Sequence, residues 1–284
     1  MPVPWGLTVP ELPEVEVTRR GLLASLPGRR IVEVACSVHR LRCDLPHASL
    51  RRHIAGQTIM TIDRRAKYLL FPMENGAVLL AHLGMTGKFG VVSVETPLHR
   101  HDHLRLRLDD DLEVRYNDSR RFGLIAVWPA EEAAAFEEEF SRGEGLEPLG
   151  PDFTADRLLH LAQGRKTPVK ALLMNARLIA GIGNIYANET LFAAGIHPRA
   201  EASALSRDDW QRVATAAIDI LTRAIEAGGS TIADFLGASG NPGYFQLQLN
   251  VYGRKGLPCP RCGRAIEKTE LAGRATYHCP TCQR

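Results

Sequence analysis

The stretch TVPELPEVEVTRR (residues 8–20) joins two proline–carboxylate pairs to the start of a helical pattern. Proline is favoured in the first turn of a helix because its missing N–H would have no intrahelical partner there. With acidic residues in the first turn and Pro27–Gly28 as a stop, the sequence predicts a helix over residues 11–28. Eight residues precede Val9. The position of the functional N-terminus therefore depends on what Pro10 does.

Short apolar runs separated by turn residues follow this helix. The segment HLRLRL (103–108) alternates polar and apolar residues strictly, as a half-buried antiparallel strand does. Similar runs predict strands over 30–38, 58–63, 67–73, 77–84, 103–110, 112–118 and 123–129. Many short strands with short connections favour a β-sandwich or a barrel-like body.

The pattern changes to a helical one beyond residue 130. The acidic stretch 131–147 is typical of a solvated helix and loop, and Pro and Gly cluster in GLEPLGPDF (145–153), which predicts a linker. Further helices are predicted over 152–163, 168–177, 184–195 and 207–229. Gly228 is a plausible stop for the last of these because glycine tolerates the left-handed conformation beyond a helix end.

Four of the six cysteines form a C-x2-C-x16-C-x2-C pattern at the C-terminal end, at Cys259, Cys262, Cys279 and Cys282. Two C-x2-C turns can present four thiolates tetrahedrally to one zinc ion, and a closed four-cysteine site is structural rather than catalytic. Two disulfides are the alternative, which no secretory signal supports. The sequence predicts one structural Zn²⁺.

Charge and hydropathy bound the classes of partner. The net charge is +3, yet residues 240–284 hold seven Lys and Arg against two Asp and Glu, a local charge of +5. A basic module on a nearly neutral body favours a polyanion such as nucleic acid, although small zinc modules are often basic without one. No apolar run approaches the ~20 residues of a membrane span, and no signal peptide is evident, which predicts a cytoplasmic protein with no membrane contact.

Four further features of the sequence are suited to DNA. GIGNIYANE (181–189) opens a helix with a glycine turn, which suits phosphate or simply packs two helices. YNDSRRFG (116–123) joins arginines to an aromatic at a turn, as an intercalating probe would. Met85 in HLGMTG is core or a second wedge, and Lys67, predicted inside a strand, snorkels to the surface or points into a groove.

Taken together, these motifs resemble those of the bacterial formamidopyrimidine-DNA glycosylase family. They occur in one order from Pro10 to Arg284: PELPEVE, RRAKYLL, HLGMTG, RRFG, GIGNIYANE, GYFQLQLNVYGRKG and the four-cysteine module. PELPEVE favours the oxidised-purine branch over the endonuclease VIII branch, which typically opens with PEGPE. The resemblance implies an α+β fold. Its parts are an N-terminal β-sandwich with flanking helices (10–140), a helix-two-turns-helix domain (141–240) and a zinc-finger hairpin (241–284), after an extension over 1–9.

The resemblance also implies an activity and its residues. Family members excise oxidised purines, such as 8-oxoguanine, from duplex DNA and then nick the strand by β- and δ-elimination through an N-terminal proline Schiff base. The catalytic positions that match are Pro10, Glu11, Lys67 and Arg274. The DNA-contacting positions that match are Glu14, Met85, His101, Arg120, Phe122, Arg165, Lys170 and Asn184. Arg165 stands where a lysine is common. We expect a monomer acting on damaged double-stranded DNA.

One feature of the sequence conflicts with this chemistry. A proline amine attacks only when nothing is attached to it, and Pro10 follows Val9 in peptide linkage. Since a bacterial GTG codon reads as Val within a frame but initiates as Met, the hypothesis is a translation start at Val9. Proteolytic exposure of Pro10 and a DNA-binding protein without catalysis are the alternatives. Endonuclease VIII-type specificity for oxidised pyrimidines is a further one.

Overall fold

The computed structural model describes residues 10–228 and 249–284, which form two compact units, 10–140 and 141–227 with 249–284. Within these residues no helix combines the length and the apolar character needed to cross a membrane. The predicted limits at 140 and 240 and the extension over 1–9 remain predictions, because the last two lie outside the described residues. The family resemblance also matches GGSTIADFLGASGNPGYF (228–245) to the loop that covers the flipped base, and all of this stretch beyond residue 228 lies outside the described residues.

The first unit contains two four-stranded antiparallel sheets. Its strands are β1 (Ile31–Cys36), β2 (Asp63–Arg65), β3 (Tyr68–Pro72), β4 (Val78–His82), β5 (Lys88–Ser93), β6 (Asp102–Leu108), β7 (Leu112–Asn117) and β8 (Leu124–Trp128). One sheet has the order β1-β6-β7-β5 and the other β2-β3-β4-β8. The helices are α1 (Leu12–Leu23), α2 (His47–His53) and α3 (Ala133–Gly143), the last of which runs across the limit between the units.

Aromatic side chains join the two sheets in one core. The ring of Phe71 on β3 lies 5.4 Å from that of Phe89 on β5, which lies 5.0 Å from that of Tyr116 on β7. All three side chains are buried, and Val15 and Leu22 of α1 belong to the same cluster. Burial of such side chains contributes roughly 2–3 kcal/mol each, so this core holds the sandwich and α1 together.

The second unit is helical and ends in a hairpin. Its helices are α4 (Ala155–Ala162), α5 (Val169–Leu173), α6 (Asn184–Ala194) and α7 (Arg207–Glu226), with a 3₁₀ turn at Ala202–Ala204. Strands β9 (Glu267–Leu271) and β10 (Arg274–His278) form an antiparallel hairpin. Helix α6 is buried on nearly every side, and Trp210 of α7 lies in the same core. Gly228 follows α7 with φ +84°, as predicted for its stop.

Several predicted elements differ from those observed. The segment 58–63 is not a continuous strand, because Thr58 and Ile59 form only isolated bridges and β2 begins at Asp63. Lys67 does not lie inside a strand but in the turn between β2 and β3. The helix over 168–177 is limited to Val169–Leu173. Strand β5 and helix α2 were missed, and Gly90 weakens the strand pattern of β5.

Substitution of Gly123, which lies between β7 and β8, tests how tightly the turns at this edge of the β-sandwich pack. A Cβ atom at this position would lie 1.7 Å from the Tyr116 hydroxyl and 2.8 Å from the His82 carbonyl. We expect Gly123→Ala to lower the free energy of unfolding by about 3 kcal/mol, because Tyr116 is buried and has no room to move. Urea unfolding measures this loss. Gly90→Ala is the matched control, since nothing lies within 4 Å of its Cβ, and an equal loss there would contradict the argument.

Candidate active site and nucleic-acid interface

The start of α1 places Pro10 beside two carboxylates. Glu11 is the N-cap residue and forms a capping box with Glu14, whose Oε2 accepts the Glu11 N–H at 3.0 Å. The Glu11 side chain is only 2% exposed, and Pro10 is half-buried next to it. Because a helix N-terminus holds a partial positive charge, it favours nearby carboxylates and disfavours a protonated amine.

Lys67 lies in the two-residue turn that joins β2 to β3. Arg65 pairs with Tyr68 across this turn, and Ala66 has φ +54°, which is unusual for a residue other than glycine. Lys67 is half-buried, and the neighbouring Tyr68 ring lies 4.8 Å from the ring of His82 on β4. The strained turn therefore fixes the backbone from which the Lys67 side chain extends.

His82 connects the Lys67 region to the Met85 turn. Its Nδ1 accepts the Gly84 N–H at 2.9 Å, which requires that nitrogen to be unprotonated. Burial lowers the pKa of His82 to about 4, with a further contribution from the charges of Arg42 and Lys67. The ring is therefore neutral at pH 7 and is suited to hold the start of the turn.

The three predicted wedge residues lie on two turns that touch. Met85 is half-buried between β4 and β5, whereas Arg120 and Phe122 lie between β7 and β8. A Cβ atom on Gly84 would meet the Phe122 and Gly123 backbone at 2.4 Å, so the two turns are in backbone contact. The Phe122 side chain is 46% exposed, and the Arg120 guanidinium lies 5.0 Å from its ring centre.

Asp118 links these two turns. Its side chain is fully buried. Oδ1 accepts hydrogen bonds from the Thr86 hydroxyl and, at 3.3 Å, from the Arg120 N–H. Oδ2 accepts the Gly123 N–H at 2.8 Å. The Thr86 hydroxyl in turn accepts the Arg120 N–H at 3.0 Å. One carboxylate thus fixes the backbone on both sides of the exposed arginine–phenylalanine pair. The half-buried His101 adjoins this group, since its carbonyl accepts the Asp118 N–H at 3.0 Å.

Asn184 begins α6 in the second unit, after Gly181 at φ +79°. The Asn188 amide donates to the Asn184 carbonyl at 2.5 Å, and its Oδ1 accepts the Tyr277 N–H of β10 at 2.8 Å. The first turn of α6 and the hairpin are therefore joined through one buried amide. A helix N-terminus of this kind attracts phosphate.

Two of the three predicted cationic contacts in the second unit are exposed, and one is not. Arg165 is exposed, and Arg274 is exposed beside the hairpin turn at Ala272 and Gly273. Lys170 is only 1% exposed, and its Nζ donates to the Ala275 carbonyl at 2.9 Å and to the Thr276 hydroxyl at 2.7 Å. Lys170 therefore supports the strand that carries Arg274, and a direct DNA contact by Lys170 stays a prediction.

The four C-terminal cysteines form the metal centre. All four Sγ atoms lie within 4.8 Å of one another, with Cys259 and Cys282 at 3.9 Å and Cys262 and Cys279 at 3.5 Å. Tetrahedral zinc with Zn–S bonds of ~2.3 Å requires S···S separations of about 3.8 Å. The donor set therefore fits Zn²⁺, and the ion would hold the two C-x2-C turns on either side of the β9–β10 hairpin.

Three family profiles match most of the chain. The formamidopyrimidine-DNA glycosylase N-terminal domain matches residues 9–125, its H2TH domain matches 145–235, and a zinc finger found in FPG and IleRS matches 256–284. The formamidopyrimidine-DNA glycosylase of Alkalilimnicola ehrlichii is 47% identical over 282 residues, which cover 97% of this chain and 100% of the relative.

This chain belongs to the formamidopyrimidine-DNA glycosylase family.

Solved structures agree with this membership. The Lactococcus lactis enzyme in complex with DNA containing N7-benzyl-Fapy-dG matches with a TM-score of 0.87 at 34% identity, covering 97% of this chain and 100% of that one. The same enzyme with DNA containing an oxidised pyrimidine matches with a TM-score of 0.85 at 34% identity and the same coverage. The predicted family, the α+β fold with its sandwich, helix-two-turns-helix domain and zinc hairpin, and the zinc cofactor are confirmed.

The buried residues that support the exposed site residues were not predicted from the sequence. Asp118 lies within YNDSRRFG, and no role was predicted for it, although an aspartate commonly accepts a hydrogen bond from the backbone N–H two residues later, in an Asx turn. His82 and Glu16 gave no comparable signal, because the contacts that tie them to the Lys67 turn come from other strands: the Tyr68 ring packs on His82, and Arg64 donates to Glu16. Buried polar partners of this kind follow from tertiary packing and not from spacing.

Removing zinc tests the hairpin. We expect a chelator, or Cys279→Ser, to unfold β9–β10 and to weaken duplex binding at least tenfold, about 1.4 kcal/mol. Fluorescence anisotropy with a lesion duplex measures the affinity. Cys43→Ser is the control, because Cys43 is exposed and lies in the first unit. Full binding by the metal-free protein would rule out a contribution from Arg274.

Proposed function

We propose that the amine of Pro10, once free, is the nucleophile with which this chain excises oxidised purines such as 8-oxoguanine and formamidopyrimidines. Family membership makes the chain a base-excision DNA-repair glycosylase with abasic-site lyase activity, and damaged DNA is its partner. The observation that carries the assignment of residues is the capping box, which keeps Glu11 and Glu14 beside Pro10 at the start of α1.

The proposed reaction begins with attack by the Pro10 amine and ends with two eliminations. The Pro10 nitrogen attacks the sugar C1′, the bond from C1′ to the base breaks, and the base leaves with a proton. Loss of the amine proton and opening of the sugar give a cationic Schiff base, with Glu11 as the general acid and base. This cation withdraws electrons, so removal of a 2′ proton expels the 3′ phosphate and a second elimination expels the 5′ phosphate.

The other site residues have supporting roles in this proposal. Since a base within a duplex is inaccessible, the damaged nucleotide is flipped out at a cost of a few kcal/mol. Met85, Arg120 and Phe122 fill the vacated stack, which the exposure of Arg120 and Phe122 beside the Met85 turn supports. Lys67 assists base release. Backbone contacts are assigned to Glu14, His101, Arg165, Lys170, Asn184 and Arg274, with Glu14 and Lys170 acting through neighbouring residues.

The oligomeric state and the location of the protein form part of the proposal. We infer that the protein acts as a monomer, because each unit has its own core and each proposed site residue belongs to this one chain. We also infer a cytoplasmic location without membrane contact, at the nucleoid, since the substrate is bacterial chromosomal DNA. Sedimentation of the protein with one lesion duplex distinguishes a 1:1 complex from a dimer.

Oxidised pyrimidines are a second candidate substrate class. The Lactococcus lactis relative has been solved with DNA containing an oxidised pyrimidine, and it shares the fold of this chain. Thymine glycol and 8-oxoguanine duplexes compared at equal enzyme concentration separate the two classes. Faster single-turnover excision of 8-oxoguanine supports the assignment to oxidised purines. Faster excision of thymine glycol would assign the chain to oxidised pyrimidines instead.

Borohydride trapping tests the nucleophile. One protein begins at Pro10 and a second begins at Met1, and each is mixed with an 8-oxoguanine:cytosine duplex and borohydride. We expect a covalent adduct from the Pro10 start, and at least ~100-fold less from a chain whose proline nitrogen is an amide. Zinc content and duplex affinity are the controls for folding. No adduct from either protein would leave a DNA-binding protein without this chemistry.

Lys67→Ala separates base release from strand cleavage. We expect single-turnover excision of 8-oxoguanine to fall by ~10–100-fold, a typical effect of losing a group that assists proton transfer. Cleavage at a preformed abasic site should change by less than about threefold, because the base has already gone. Lys88→Ala on β5 is a control for the loss of one positive charge. Equal losses on both substrates would exclude a role in base release.

A further inference from the structure

Glu16 is a buried carboxylate to which no step of the proposed reaction assigns a role. It lies on α1, in the second turn after Glu11, and is 8% exposed. Its oxygens accept from Arg19 at 2.9 and 3.0 Å, from Arg20 at 2.9 Å and from Arg64 at 3.1 Å. Burying a carboxylate is unfavourable unless such partners compensate, so this cluster is a costly feature to build into the fold.

The arginines of this cluster extend beyond Glu16 to the backbone around β2. Arg64 donates through Nη1 to the Ala66 carbonyl at 3.0 Å, and Arg19 donates through Nη1 to the Ile62 carbonyl at 3.2 Å. These two carbonyls lie on either side of β2, and the Ala66 carbonyl belongs to the residue before Lys67. One carboxylate on α1 therefore orients two guanidinium groups that hold both ends of the strand leading to Lys67.

The cluster is a fixed contact rather than an adaptable surface pair. Burial alone would raise the pKa of Glu16, but hydrogen bonds from Arg19 and Arg20 and the charges of Arg19 and Arg64 outweigh it and lower the pKa to about 2. Arg64 is 11% exposed, and the turn it contacts includes Ala66 at φ +54°. A residue held in this conformation requires surrounding contacts that determine it.

We infer that Glu16, acting through Arg64, is a positioning residue that holds the Lys67 turn against the helix that begins beside Pro10. The inference rests on the proposed roles of Pro10 and Lys67. Pro10 and Glu11 belong to the start of α1, and Lys67 belongs to the β2–β3 turn. The Glu16–Arg64–Ala66 path joins these two elements. Because a shift of ~1 Å in a reacting group can cost ~100-fold in rate, this path sets how well base release works.

Glu16→Gln in the protein that begins at Pro10 is the test. We expect single-turnover excision of 8-oxoguanine to fall about 10-fold, while cleavage of a preformed abasic site changes by less than about 2-fold. The same substitution in a Lys67→Ala background should produce no further change in the ratio of the two rates, because Glu16 acts through Lys67. A purely structural role would lower both rates together and would add to the Lys67→Ala effect.

Glu113→Gln is the matched control. Glu113 is also a buried carboxylate of the first unit, and it accepts from Arg115 at 2.5 Å, while Arg115 donates to the Thr96 and Pro97 carbonyls at 2.7 and 2.9 Å. It belongs to the other sheet, on β7. We expect it to lower the urea midpoint without changing the ratio of the two rates. An equal change of that ratio by Glu113→Gln would overturn the inference.

Arg64→Lys covers the case in which Glu16→Gln does not fold. Lysine keeps the charge beside Glu16, but it lacks the planar fork that reaches Glu16 and the Ala66 carbonyl together. We expect the same selective loss of 8-oxoguanine excision, and an unchanged ratio of the two rates would refute the positioning role. Failure of the proposed function can be distinguished from failure of this inference. If the proposed function is wrong, the unsubstituted protein that begins at Pro10 gives no borohydride adduct even with abasic DNA.

Discussion

The close packing of the Met85 turn and the Arg120–Phe122 turn depends on the space around the Tyr116 hydroxyl. Gly87 and Gly123 both lie where a Cβ atom would overlap this oxygen, and Gly84 lies against the Phe122 backbone. The absence of side chains at these positions lets two turns approach at backbone distance, and the Asp118 carboxylate then bonds to both. Arg120 and Phe122 can therefore project from the surface without contributing to the core themselves.

The two units use different means to hold their exposed residues. In the first, buried carboxylates accept from backbone N–H groups and arginines, at Asp118 and Glu16. In the second, Lys170 and Asn188 bond to the β10 backbone, and four thiolates are arranged for zinc. A short hairpin buries too little apolar surface to fold alone, so it needs such links. In both cases a residue that touches DNA in the proposed function is held by polar groups beneath it.

The sequence predicted the features that follow from local spacing. The four cysteines cluster as a metal site, HLRLRL forms strand β6, and the glycine turn precedes helix α6, as predicted. Predictions were poorer where tertiary packing decides. Lys67 was predicted in a strand because apolar residues follow it, but β2 ends at Arg65 and the turn places Ala66 at a positive φ. Lys170 was matched to a DNA-contacting position, and only the folded chain shows that it is buried and bonds to β10.

The cap of α1 separates folding from catalysis. The bonds that begin the helix lie at Glu11 and beyond, where Glu14 accepts the Glu11 N–H and the Glu11 carbonyl accepts the Val15 N–H. None of these bonds uses the Pro10 nitrogen. A chain that keeps residues ahead of Pro10 can therefore form the same start of α1. In the proposed function, where the free Pro10 amine is the nucleophile, such a chain would bind lesions without excising them, so in a cell holding both forms it would compete with the active form and shield damage from repair.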